Sequence, residues 1–259
     1  MSYVIDFGNT DEPIHTDSRY LLRLRGTKSG IVDLAGNTIT NHNVDYNSTP
    51  STLRDRRRNF TALKFNQSLN PFLHIPSLKN SIDSNEDFTL SVHVKNIIKP
   101  LNESENASYD LFNSSYGSET TQSRAYAESF NFYFIYPKNQ DYFGYVGFYT
   151  YGSNLNDLAE LYNTGYTFYD TSYHMALIRE NNVIKVFVNG IQLSKTLTYS
   201  KTVHNKNTPI NIGYNGAFQG NSLYMNCLIE DYCLIKGKAL WTSNFTPPVS
   251  YLPDDLSNF

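Results

Sequence analysis

Apolar and aromatic runs of strand length recur along the chain, separated by polar turns. In Phe88-Thr-Leu-Ser-Val-His-Val94 every second side chain is apolar, the period of a half-buried strand. Phe130-Asn-Phe-Tyr-Phe-Ile-Tyr136 is a dense strand signal that ends at Pro137, and residues 142–149 follow after a polar turn. The clearest meander spans residues 173–197. A strand over 173–179 reaches a turn at Glu180-Asn181-Asn182, a second runs back over 183–188, and a third covers 191–197. Asn189-Gly190 joins the last two, and both central positions of a type I′ hairpin turn need positive φ. Residues 20–24 form the first strong strand, and 223–235 a long late one closed by Lys236-Gly237. A short helical turn is predicted over residues 156–162. No other segment sustains a 3.6-residue period, and no repeat of 20–50 residues is present.

This pattern predicts an all-β chain. Composition agrees: 21 Tyr, 16 Phe and 1 Trp make aromatics 15%, while charged residues reach only 17%. Many Tyr, Thr, Ser and Asn with few Lys and Glu is the balance of strands joined by polar turns, and it excludes a helical bundle. The formal net charge of −3 argues against a general nucleic-acid partner. No apolar run reaches the roughly 18 residues of a membrane span. Met1-Ser-Tyr-Val-Ile-Asp lacks a basic stretch leading into an apolar core, so the expectation is synthesis in the cytoplasm without a signal peptide. Cys227 and Cys233 share one predicted strand at equal parity. They would lie about 20 Å apart, too far for a disulfide, and both are expected to face the core.

Two long polar stretches, 42–58 and 100–124, are predicted as loops. The first ends in the basic cluster Arg54, Arg56, Arg57 and Arg58, a candidate contact for an anion or an acidic partner. Residues 1–19 form an N-terminal arm. Within it Tyr3, Val4, Ile5, Asp6 and Phe7 make a short strand that must pair, either with an edge of its own sandwich or by addition to a neighbouring subunit.

Catalytic patterns are weak. The six histidines show no zinc spacing, and no phosphate loop or nucleophile elbow occurs. Glycoside hydrolysis needs paired carboxylates. Glu103 and Glu105 sit in a polar loop, and Asp231 shares its apolar face with Met225, Cys227, Ile229, Cys233 and Ile235 but with no second acid. Asp231 therefore reads as a structural anchor, His174 as a packing residue, and no catalytic residue is assigned. Tyr142, Tyr145, Tyr149 and Tyr151 are candidates for stacking against a glycan, with core or subunit contact as the competing role.

Several motifs, in order, resemble a known family. Tyr173-His-Met-Ala-Leu-Ile-Arg, a turn, then Ile184-Lys-Val-Phe-Val-Asn-Gly190 is similar to the signature strand pair of laminin-G-like, concanavalin A-like jelly-roll domains. Ala62-Leu-Lys-Phe-Asn, Phe72-Leu-His-Ile-Pro and Glu86-Asp-Phe-Thr-Leu-Ser-Val resemble its early strands. Ile210-Asn-Ile-Gly-Tyr and the tail Lys236-Gly-Lys-Ala-Leu-Trp-Thr-Ser-Asn-Phe-Thr-Pro-Pro248 resemble its close. That tail looks like the version in bacteriophage virion and tail-associated proteins. Tyr173 stands where the family usually has Trp.

The resemblance implies one concanavalin A-like jelly-roll β-sandwich of two antiparallel sheets over residues 20–248, followed by a tail at 249–259. It implies structural roles for Tyr173, His174, Asn189, Gly190, Asp231 and Trp241. No cofactor is expected from the residues; the resemblance makes calcium the ion to test, with Asp83, Asp87 and Asp157 as its candidate ligands. The implied function is a non-enzymatic virion component, in a tail, fibre or capsid-surface position, whose partners are other virion proteins in many copies and cell-surface glycans. The alternative is a lectin module that binds such glycans on its own.

Overall fold

The computed structural model describes residues 4–5, 14–15, 17–53, 60–76, 82, 85–98, 107–114, 116–118, 121–125, 129–136, 144–151, 158–166, 172–203, 209–214 and 224–257. Their strands, in chain order, are β1 (Val4–Ile5), β2 (Ile14–His15), β3 (Tyr20–Thr27), β4 (Gly30–Asp33), β5 (Thr40–His42), β6 (Leu63–Phe65) and β7 (Phe72–Ile75). Then come β8 (Phe88–Lys95), β9 (Ala107–Asn113), β10 (Tyr116–Ser118), β11 (Thr121–Ala125), β12 (Ser129–Tyr136), β13 (Gly144–Tyr151) and β14 (Leu158–Tyr166). The last are β15 (Tyr173–Glu180), β16 (Val183–Val188), β17 (Ile191–Gln192), β18 (Leu197–Thr198), β19 (Ile210–Ile212) and β20 (Cys227–Lys236).

Among the described residues these strands build two large antiparallel sheets. One has seven strands in the order β14-β13-β12-β9-β19-β7-β5. The other has nine, running β17-β16-β15-β8-β20-β3-β4, with β18 beside β16 and β6 beside β20. The protein is a β-sandwich. Alternation sends Leu22, Leu24, Leu90, Val92, Met175, Leu177, Val186, Ile229 and Leu234 of the nine-stranded sheet inward. They meet Tyr109, Phe112, Phe130, Phe132, Phe134, Val146 and Phe148 of the seven-stranded sheet. Phe112 stacks on Phe130 at 4.3 Å and Tyr109 on Phe134 at 5.0 Å. Each fully buried Phe contributes about 1.5–3 kcal/mol of transfer free energy. Tyr232 ties the layers, its hydroxyl donating to the Leu111 carbonyl at 2.8 Å.

The structure departs from the sequence reading in four places. Residues 158–162, expected in a helical turn, belong to β14, where Ala159 and Leu161 pair with Thr150 and Phe148 and the period is two. The stretch 100–124 is not one loop. It contains β9, a strand inside the seven-stranded sheet, whose polar Asp110 and Asn113 alternate with apolar residues that face the core. Cys227 and Cys233 are both buried free thiols, yet they pack on opposite faces of the sheet. A bulge after Glu230, with Asp231 at φ 46, inserts a residue and reverses the alternation. In the arm, β1 pairs with β2, a partner that the sequence reading did not name. Tyr3, Asp6 and Phe7 lie outside the described residues.

Residues 237–257 run as a strap over the outer face of the nine-stranded sheet. There Leu252 and Leu256 pack with Tyr20, Cys233 and Ile235, and Trp241 and Phe245 cover Ala176, Ile178 and Phe187. Both faces of this sheet are thereby buried.

Candidate functional site

The residues of the family-like motifs meet beneath the strap. Asn189 and Gly190 adopt φ 50 and 76, as the hairpin requires. The Asn189 side chain accepts from the His174 N–H at 2.9 Å, and its own N–H donates to the His174 carbonyl at 2.8 Å. His174 is thus fixed beside the turn, and Trp241 and Phe245 close over it with ring planes perpendicular to the imidazole, 5.2 and 5.5 Å away. Trp241 and Phe245 stack on each other at 4.1 Å. His174 Nε2 lies 2.9 Å from Ser91 Oγ. Burial holds the imidazole neutral, its pKa lowered to about 3, with His93 adding to the effect. Tyr173 is half-buried and packs at the edge of the main core.

Beside this aromatic group lies a buried set of charges. Asp231 is ion-paired with Arg25 and accepts from the Leu252 N–H at 2.8 Å. Burial alone would raise its pKa, but Arg25, Arg23 and the Leu252 N–H outweigh it and hold the carboxyl low. Glu230 pairs with Lys95 at 2.6 Å and accepts from the Thr52 N–H at 2.9 Å. Arg23 reaches Asp254 at 2.7 Å and the Leu252 carbonyl at 2.5 Å. The Arg25 guanidinium sits 4.4 Å over the Tyr251 ring. The cleft between these groups has no room even for water. Both acids are engaged in holding the strap and the 49–53 loop to the sheet, so the arrangement anchors structure.

The other concentration of chemistry lies on the outer face of the seven-stranded sheet. One register row crosses the whole sheet: Glu160, Tyr149, Asn131, Asn113, Asn211, His74, Thr40. Asn113 and Asn131 are buried, with Asn113 Nδ2 donating to Asp110 at 2.5 Å and Asn131 Oδ1 accepting from the Ser114 N–H at 3.1 Å. Toward the edge the row opens: His74 and Asn211 are half-buried and joined side chain to side chain at 2.9 Å. One step along β7, four rings gather. His42 stacks on Phe72 at 4.0 Å with planes 3° apart. Phe72 lies 5.3 Å from Tyr214 and 6.3 Å from Tyr224, and Tyr214 stacks on Tyr224 at 5.1 Å. All four are half-buried. The cluster sets half-buried rings beside amide and imidazole groups.

This cluster escaped the sequence reading because its members come from four distant segments. Of the tyrosines that reading singled out, Tyr149 is half-buried with its ring 5.7 Å from Tyr133. Tyr145 and Tyr151 contribute backbone to β13, and Tyr142 lies outside the described residues. Tyr133 in turn covers Gly147, where a Cβ would come within 2.6 Å of the ring. Arg54, Arg56, Arg57 and Arg58 also lie outside the described residues, as do Asp83 and Asp157. Asp87 accepts from the Asn181 N–H at 2.8 Å. Among the described residues no three acids, histidines or cysteines converge on a point that would hold a metal ion.

No protein-family model matches the chain, and no curated protein matches it. Solved structures do. The botulinum neurotoxin serotype D binding domain is similar over 85% of this chain and 49% of its own, with 16% identity and a TM-score of 0.57. The binding domain of botulinum neurotoxin DC in complex with SialylT matches over 91% of this chain and 49% of that one, at 12% identity and a TM-score of 0.52. A Trypanosoma rangeli sialidase in complex with sialic acid matches over 98% of this chain and 34% of that one, at 13% identity and a TM-score of 0.52. The chain spans half or less of each. At these identities the likeness shows the jelly-roll-like β-sandwich fold and nothing finer.

Proposed function

We propose that the protein is a non-enzymatic attachment component of a bacteriophage virion, in a tail, fibre or capsid-surface position, and that it meets cell-surface glycans through the rings around Phe72. The observation that carries this reading is the half-buried quartet of His42, Phe72, Tyr214 and Tyr224, bordered by the His74–Asn211 pair. The C–H faces of a pyranose bury apolar area against such rings, while its hydroxyls need nearby amide and imidazole partners. Two of the similar structures are complexes, with SialylT and with sialic acid, which supports a glycan as the ligand class. The tail from Lys236 to Pro248 supports the virion setting through its resemblance to phage proteins. The engagement of Glu230 and Asp231 in buried ion pairs supports binding rather than hydrolysis, since cleavage needs two acids aimed at one bond.

The test is binding of the purified protein to an array of bacterial and animal glycans, followed by a search for released sugar from each ligand that binds. Retention of intact glycans supports the reading. No binding, or turnover of a bound glycan, contradicts it. Association with purified particles separates the virion component from a free lectin.

A further inference from the structure

The strap rests on two neutral histidines. His93 and His174 sit opposite each other across β8 and β15, with ring centroids 4.7 Å apart. His174 Nδ1 and His93 Nε2 are buried with no hydrogen-bond partner. Over His174 lie Trp241 and Phe245, and under those rings Ala176, Ile178 and Phe187 form an apolar patch. A neutral imidazole carries one N–H, and an imidazolium carries two donors and a charge. In this enclosure the Nδ1–H that a His174 imidazolium must carry has no acceptor, and the charge loses its water.

The surrounding charges do not remove that conflict. On β20, Asp231 and Glu230 are acidic, but Arg25 of β3 and Lys95 of β8 already pair with them. Lys95 and the second histidine act against protonation. On the face of β15 and β16 beneath the strap, Glu180 and Lys185 pair with each other at 2.5 Å. The strap crosses the sheet without joining its strand ladder. Residues 238–248 are held by Leu240 N–H to Thr89 Oγ1 at 2.9 Å, Thr89 Oγ1 to the Lys238 carbonyl at 2.9 Å, Phe245 N–H to the Gly190 carbonyl at 2.9 Å, Gln192 N–H to Asn244 Oδ1 at 2.9 Å, and Lys185 Nζ to the Thr242 carbonyl at 3.0 Å. In contrast, β8 and β15 are in register from Tyr173–Val94 to Arg179–Phe88. Local opening follows the element with the fewest bonds.

We propose that residues 238–248 form an acid-released latch: protons taken up by His174 and His93 lift Trp241 and Phe245 from the sheet and uncover the Ala176–Ile178–Phe187 patch while the sandwich stays folded. The step consumes protons alone. It is independent of glycan binding, which involves the other sheet. The low pKa of His174 places it well below neutrality.

Trp241 is the single tryptophan of the chain, so its fluorescence reports the latch without labelling. The experiment titrates the full chain from pH 6.5 toward pH 3, following Trp241 emission and acrylamide quenching beside far-ultraviolet circular dichroism. The expected result is a reversible red shift with a several-fold rise in quenching while the β signal is retained. His174→Gln and His93→Gln keep a polar side chain that takes up no proton, and each moves the transition to lower pH. Should His174→Gln misfold, His93→Gln and the wild-type quenching decide. Emission that stays constant until the β signal collapses overturns the proposal, and so does an unshifted transition in the folded variants.

Discussion

Gly190 lies against the backbone of Phe245, so that a Cβ on Gly190 would come within 1.9 Å of the Phe245 carbonyl oxygen. Two stretches that resemble one family in sequence, the Asn189-Gly190 turn and the tail ending at Pro248, are thus two halves of a single contact. The left-handed φ of 76 adds a second reason for glycine. Gly190→Ala is expected to cost about 2–3 kcal/mol, from left-handed strain plus displacement of the strap. In thermal denaturation that is a fall in Tm of roughly 4–12 °C. A Tm within about 1 °C of wild type would show that the strap does not depend on this contact.

Arg25 and Asp231 hold the strap by a buried charge pair. Removing one partner strands the other, which costs about 3–5 kcal/mol. Asp231→Asn is the informative change, because Asn tolerates the left-handed backbone at φ 46 and keeps one acceptor oxygen for the Leu252 N–H while the charge is lost. Urea unfolding of Asp231→Asn, Arg25→Met and the double variant should show two costly single changes and a double change well below their sum. Strict additivity would mean that the pair is not coupled.

Stability should fall on acidification well before the carboxylates titrate. His174 has a folded pKa near 3 against an ordinary 6.5, so the unfolded chain binds the proton first. Its contribution is complete above pH 6.5 and is lost as pH falls toward 3, by at most about 1.4 kcal/mol per pH unit. Asp231, whose pKa is also lowered, adds its loss only below the ordinary carboxylate range. Urea midpoints measured between pH 7 and pH 4 should decline in wild type and decline less in His174→Gln. Equal slopes would show that His174 is not the group responsible.

Cys227 lies in the inter-sheet core and Cys233 beneath the strap, and burial raises both thiols, Cys233 to about 12. A thiol reagent at neutral pH should find neither in the native protein and both after denaturation. Labelling of Cys233 in the native state would show that the strap opens at neutral pH.

The parts legible in the sequence are those with local signals. The turns at Glu180-Asn181-Asn182 and Asn189-Gly190 delimit residues 183–188, and β16 covers Val183–Val188. Strand β9 was hidden because Asp110 and Asn113 are polar on a face that the structure buries. Leu158 and Leu161 stand three apart and suggest a helix, yet β14 is held in register by β13. One inserted residue at Asp231 reversed the placement of Cys233, and no local pattern announces a bulge. The Phe72 cluster joins residues 42, 72, 214 and 224, and strand pairing alone brings them together.

The central claim is that the protein recognises a glycan through the Phe72 rings. Its most direct test is calorimetric titration of the best array ligand into wild type, Phe72→Ala and Tyr214→Ala, with circular dichroism to confirm that each variant is folded. The account predicts that each folded variant binds at least about 10-fold more weakly, a loss of about 1.4 kcal/mol or more for removing one stacking ring. Unchanged affinity in both folded variants would place recognition elsewhere and contradict the account.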